Sequence, residues 1–160
     1  MKRNEFTKNV CSAFALSLVG LPLLQACTKD TETLYKDDAD PELTSKGIKS
    51  VDNQVIISIE HPNFSALKTP GNFINSLEFG FLILRKTEDS VIAVSNCCPH
   101  QGSRNQWRYI GDKFLCTNHG NSFNTGTGNE ASCNSNRTSG NLKQYPASLV
   151  DTLITIEMSV

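Results

Sequence analysis

The chain has 160 residues, a net charge of −1 at pH 7 and 38% hydrophobic residues. That is enough for one domain with a real core, and nothing basic is clustered in a way that suits nucleic acid. No Ser/His/Asp set, phosphate-binding loop or carboxylate pair stands in a recognisable context, which leaves hydrolytic and nucleotide chemistry without their residues.

The first stretch, MKRNEFTKN, is basic, with Lys2, Arg3 and Lys8 against Glu5. An apolar run from Val10 to Leu24 follows, interrupted by Pro22. It is short of the roughly 20 apolar residues that a membrane span needs, and has the form of a secretory signal. Leu24-Gln25-Ala26-Cys27 resembles a bacterial lipobox, in which Cys27 is lipidated and becomes the first mature residue. Residues 1–26 are therefore expected to be a lipoprotein-type signal. Residues 27–46 hold few apolar side chains and, from Thr28 to Lys46, six acids against three lysines. Such a segment cannot bury enough apolar area to offset its ordering entropy, so it reads as a flexible acidic tether. Without residues 1–26 the chain carries 12 basic and 15 acidic residues. An acidic tether is not drawn to anionic headgroups, so attachment to a membrane would rest on the lipid at Cys27. The expected location is the bacterial cell envelope, as an exported periplasmic or outer-membrane lipoprotein.

Residues 47–160 form one domain's length. Short β-rich runs separated by turn residues dominate, and no long stripe with a 3.6-residue period appears. The clearest strands are Gln54–Glu60, Gly80–Lys86, Ser90–Ser95, Lys113–Cys116 and Leu153–Met158. Glu88-Asp89 and Val150-Asp151-Thr152 read as hairpin turns, while Pro62, Pro70-Gly71 and Pro146 punctuate loops. The expectation is all-β: an antiparallel β sandwich or small barrel.

Between Asn96 and Gly126 stand two soft-ligand pairs, Cys98-Pro99-His100 and Cys116-Thr117-Asn118-His119, with fifteen residues between His100 and Cys116. Pro or Gly lies beside each, so two loop tips could close on one metal centre. Two thiolates with two imidazoles suit zinc or an iron–sulfur cluster, rather than calcium or magnesium, which want oxygen ligands. Zinc fingers usually offer a Cys pair and then a His pair. Here each pair is mixed, which fits a cluster with both sulfurs on one iron and both nitrogens on the other.

With this pattern, C-x-H followed by C-x-x-H, the chain resembles the Rieske 2Fe–2S family. Gly102, Gly120, Phe123 and Gly126 extend the match, and a weaker likeness runs over about residues 50–158. The resemblance implies a β base domain with a cluster-binding lobe inserted at about 96–125. It implies one 2Fe–2S cluster held by Cys98 and Cys116 on the inner iron and His100 and His119 on the outer. It also places backbone N–H groups of the Gly102 and Gly120 turns near the cluster sulfurs. Rieske proteins of cytochrome bc complexes carry an extra Cys in each loop; the matching positions here are Ser103 and Asn118, so that bridge is missing. High-potential members also carry Ser and Tyr where this chain has Asn121 and Phe123. Losing those donors predicts a potential in the lower half of the family range. The Gly-Pro-rich third loop of many relatives is not recognisable in Ala131–Leu142.

Two cysteines remain. Cys97 and Cys133 read either as a replacement disulfide in an exported protein or as a buried small residue and an exposed loop thiol. His61 reads as a surface loop residue and Trp107 as lobe packing. The function expected is one-electron transfer with redox partner proteins, as a component of an oxidoreductase system rather than a catalyst by itself. The alternatives are a zinc-binding structural module on the same four side chains, and the ferredoxin-like subunit of a larger oxidoreductase.

Overall fold

The computed structural model describes residues 43–158. The signal, the acid-rich tether up to residue 42 and Cys27 lie outside the described residues. Residues 44–46, expected to belong to the tether, are tied into the fold. Thr44 Oγ1 donates to the Ile48 carbonyl at 2.6 Å, and Asn63 Nδ2 donates to the Lys46 carbonyl at 3.3 Å. The ring of His61 lies 3.0 Å from the Ser45 carbonyl through Nε2, while its Nδ1 accepts from the Asn63 N–H. His61 thus caps the 3-10 helix Pro62–Lys68 and anchors the segment around Ser45 at once.

In chain order the strands begin with β1 Ile48–Val51, β2 Gln54–Ser58, β3 Phe73–Ser76, β4 Phe81–Thr87 and β5 Ser90–Ser95. Next come β6 Trp107–Ile110, β7 Lys113–Cys116, β8 Asn121–Asn124, β9 Glu130–Ala131 and β10 Asn141–Leu142. The chain ends with β11 Gln144–Tyr145, β12 Ala147–Val150 and β13 Leu153–Glu157. They form three sheets, ordered β1-β2-β13-β12, β11-β5-β4-β3 and β6-β7-β8-β10-β9. Pairing is antiparallel except at β10, which runs parallel to both β8 and β9.

The middle sheet explains a pattern that the sequence shows only as an unbroken apolar run. In β4, Phe81 and Ile83 point into one core with Val55, Ile57, Ile154 and Ile156. Leu82 and Leu84, one residue out of phase, point into a second core with Trp107, Phe114, Phe123 and Leu142. A strand buried on both faces cannot alternate, because successive side chains leave opposite faces. The inner pair of the base sheet does alternate: β2 buries Val55 and Ile57, while β13 buries Ile154 and Ile156, paired as Ile57↔Ile154 and Val55↔Ile156. The all-β architecture is as expected, with the first and middle sheets as a sandwich and the third as a lobe. The lobe's sheet extends beyond residue 125 to Leu142, because β9 and β10 add to β8. Two-residue strands have no periodicity to read.

Arg85 is buried at the far end of β4, where a bulge precedes Thr87. Its guanidinium donates to the carbonyls of Thr87 and Glu88, so the buried charge is held by the turn that it closes. At the lobe's outer hairpin, Lys86 Nζ lies 2.6 Å from Asp112 Oδ1. Each partner shifts the other in the expected sense, Lys86 up and Asp112 down, through that hydrogen bond first. Both are largely solvated, so the pair adds little to stability.

Candidate metal centre

Two turns of the same design carry the candidate ligands. After β5 ends at Ser95, the chain turns so that the Gly102 N–H donates to the Cys98 carbonyl at 2.8 Å. At the tip of the β7–β8 hairpin, the Gly120 N–H donates to the Cys116 carbonyl at 2.9 Å. Each glycine has a positive φ, 72° and 75°, which closes the turn and which a residue with a Cβ adopts only at a cost. The Gly102 and Gly120 N–H groups are spent on backbone carbonyls four residues back, whereas the amides of Asn118 and His119 are the ones that reach the Cys116 sulfur. At the Gly120 turn this agrees with the expectation of turn amides near a sulfur, and it identifies which amides they are.

The four side chains are grouped two and two. Cys98 is 1% exposed and Cys116 fully buried, both part of the lobe core, and their thiols are hydrogen-bonded to each other. His100 is half-buried and His119 exposed, with their Nδ1 atoms 3.2 Å apart and their rings edge-on at 88°. Among the described residues, no three His, Cys, Asp or Glu side chains gather around one point as they would for a single ion. A buried sulfur pair together with an imidazole pair that reaches solvent is the donor set that a two-iron centre with split ligation asks for. Burial pushes the Cys116 thiol up to about 11, with the bond to Cys98 acting in the same direction. A metal reverses this, since a coordinated thiol is deprotonated outright. The residues therefore fit the group.

The two turns are also tied together. Asn118 Nδ2 donates to Ser103 Oγ at 2.9 Å, at the very positions where bc-type proteins carry their cross-loop bridge. Cys97 and Cys133 are disulfide-bonded, with Cα atoms 5.3 Å apart, within the normal span for such a bond. Trp107 packs edge-on against Phe114 and Phe123 and donates from Nε1 to the Asn96 carbonyl at 2.8 Å, so its place is the lobe core.

Asn96 was not singled out by sequence reasoning. It is fully buried and every polar group on it is engaged. Its N–H donates to the Gly80 carbonyl at 2.9 Å, and its Nδ2 to Asn75 Oδ1 at 2.9 Å. Its Oδ1 accepts from Arg104 at 2.9 Å and its carbonyl from Trp107. The residue pins the exit of β5 to β3, to β6 and to the far side of the first ligand turn. Asn96→Ala is expected to cost about 1–3 kcal/mol, because the Arg104 and Asn75 partners each lose a part-buried bond. Chemical denaturation checks this, and a loss under about 0.5 kcal/mol would remove Asn96 from that role. A polar residue just before Cys97 was the only sequence signal available.

Residues 41–146 match the sequence model of the family described as Rieske 2Fe-2S domain. No curated protein matches the chain. Among solved structures, the chain is similar to the cyanobacterial plasma membrane Rieske protein PetC3 from Synechocystis PCC 6803. The identity is 20%, the match covers 59% of this chain and 94% of that one, and the TM-score is 0.39. The family match spans well over half of the chain, across both ligand turns and all three sheets, and with the all-β architecture and the split donor set it shows that this protein belongs to the Rieske 2Fe-2S domain family, with a Rieske-type 2Fe–2S cluster as its cofactor and electron transfer as its role.

Proposed function

We propose that the protein is an exported, lipid-anchored one-electron carrier whose cluster is held by Cys98 and Cys116 at the inner end and His100 and His119 at the outer. The observation that carries this reading is the pairing of donors, thiols buried and imidazoles facing solvent. When bound, the cluster accepts and returns a single electron. The chain's own residues shape that exchange. The buried Cys98 and Cys116 keep water from the sulfur end, and the amides of Asn118 and His119 stabilise negative charge on the Cys116 sulfur. The exposed side of His119 gives a redox partner its shortest approach.

Purification of residues 28–160, followed by iron and sulfide analysis with EPR of the reduced form, tests the reading. A colourless protein containing zinc in place of iron would replace it with the structural-module alternative. Labelling of Cys27 with a fatty acid in the membrane fraction tests the anchor.

The expected midpoint lies in the lower half of the family range of about −150 to +300 mV. Phe123 is buried in the lobe core and has no polar hydrogen to donate, and Asn121 stands where high-potential relatives carry Ser. Protein-film voltammetry measures it, and a value above roughly +200 mV would count against the role given to these two residues.

The ligand turns themselves carry no charged side chain. No Asp, Glu, Lys or Arg occurs in residues 96–103, 117–129 or 132–136. Charge steers association through complementary patches. Electron exchange with a physiological partner is therefore expected to change by less than about threefold between low and high salt. Stopped-flow rates across an ionic-strength series check this, and a steep decline would place the docking face elsewhere.

A further inference from the structure

Residues 132–136 lie along the first ligand turn in register with it. The N–H groups of Asn134, Ser135 and Asn136 donate to the carbonyls of Cys98, Pro99 and His100 at 3.3, 2.7 and 3.1 Å. The disulfide from Cys97 to Cys133 is the next rung of the same ladder, with the same separation of 36 residues. Apart from this ladder the segment has little to hold it. Residues 132–139 are exposed throughout, and Asn134 and Asn136 sit at positive φ, 53° and 57°. Exposed backbone bonds in a segment without apolar burial do little against its conformational entropy, so the covalent rung decides whether the others form.

That rung is reachable. A cleft of about 490 Å³ runs beside it, with Cys97 and Cys133 in its wall together with Arg104, Lys143, Phe79 and Tyr145. Cys133 is exposed, while Cys97 is buried. Arg104 and Lys143 outnumber the one carboxylate of the wall, Glu130, and a net positive wall favours the approach of a thiolate.

We infer that Cys97–Cys133 is a thiol-exchange latch, opened by a dithiol reductant that enters this cleft, which holds residues 132–136 against the turn bearing Cys98 and His100. The reductant's thiolate attacks Cys133 Sγ, the bond to Cys97 Sγ breaks, and Cys97 leaves as a thiolate that takes up a proton. The reductant's second thiol then displaces Cys133 as a thiol. Two electrons and two protons pass to the latch, and the dithiol leaves as a disulfide. Opening frees the carbonyls of Cys98, Pro99 and His100, and so loosens the backbone of one half of the candidate centre. This last consequence rests on the ligand assignment proposed above; the latch itself does not.

The test is performed on the full chain carrying its cluster, with dithiothreitol as the dithiol. Alkylation with mass spectrometry reports the thiols, and hydrogen exchange reports the amides of Asn134 to Asn136. Without reductant neither Cys97 nor Cys133 is expected to alkylate. With it both alkylate, and those three amides exchange at least about tenfold faster while β4 and β5 stay unchanged. The double variant Cys97→Ser/Cys133→Ser is expected to exchange at the fast rate from the outset and to ignore dithiothreitol. Alkylation of both residues without reductant overturns the latch, as does slow exchange at residues 134–136 after both have alkylated. Neither readout uses the cluster, so a chain without iron that still shows dithiol-dependent exchange supports the latch while removing the electron-transfer reading.

Discussion

Replacing His100 and His119 together by alanine is expected to abolish the iron–sulfur spectrum while leaving the fold in place. Neither ring belongs to the lobe core, and their Nδ1 atoms meet each other at 3.2 Å. Removing them leaves no cavity, so the change in unfolding free energy should stay within about 0.5 kcal/mol. The two remaining thiols cannot complete the coordination of a second iron, which takes its protein ligands from imidazole in this ligation. Iron content, visible absorption and EPR report the first effect, and urea unfolding reports the second. If the double variant kept its spectrum, the imidazoles would not be ligands and the proposed centre would be wrong. If it lost both spectrum and fold, the rings would have a structural part that their exposure does not suggest.

Phe114→Ala is expected to be the most destabilising single change in the lobe, at about 3–5 kcal/mol. The ring is fully buried. It meets Phe73 at 5.2 Å, Tyr109 at 5.1 Å and Trp107 at 6.2 Å between centroids, and so joins β3, β6 and β7. Its removal takes out the apolar transfer energy of the ring and the edge-on aromatic contacts, and the aromatic neighbours are too rigid to fill the space. Because Phe114 lies two residues before Cys116 on the same face of β7, the variant should also load less iron. Equilibrium denaturation with an unchanged m-value, alongside iron analysis, measures both. A loss under about 1 kcal/mol would mean that the lobe core does not depend on this ring.

Much of the site was legible because its signal is local. Cys98 with His100, and Cys116 with His119, are chemistry-bearing residues at fixed short spacing, and their mixed pairing favoured a Rieske-type centre over a zinc finger. Strands β2, β5, β7 and β13, and the turns at Glu88-Asp89 and Asp151-Thr152, followed from alternation and turn residues within a few positions. By itself, then, the sequence determined the all-β class and the hairpins and supplied the candidate donor set, because each is set by neighbours along the chain. The tertiary structure decided what depends on contacts between distant segments. It showed that β4 serves two cores at once, that the lobe reaches Leu142, and that Asn118 meets Ser103. It also laid residues 134–136 along residues 98–100. Those pairings join positions 15 to 36 residues apart, and no periodicity within either partner encodes which carbonyl an amide will find once the chain has closed.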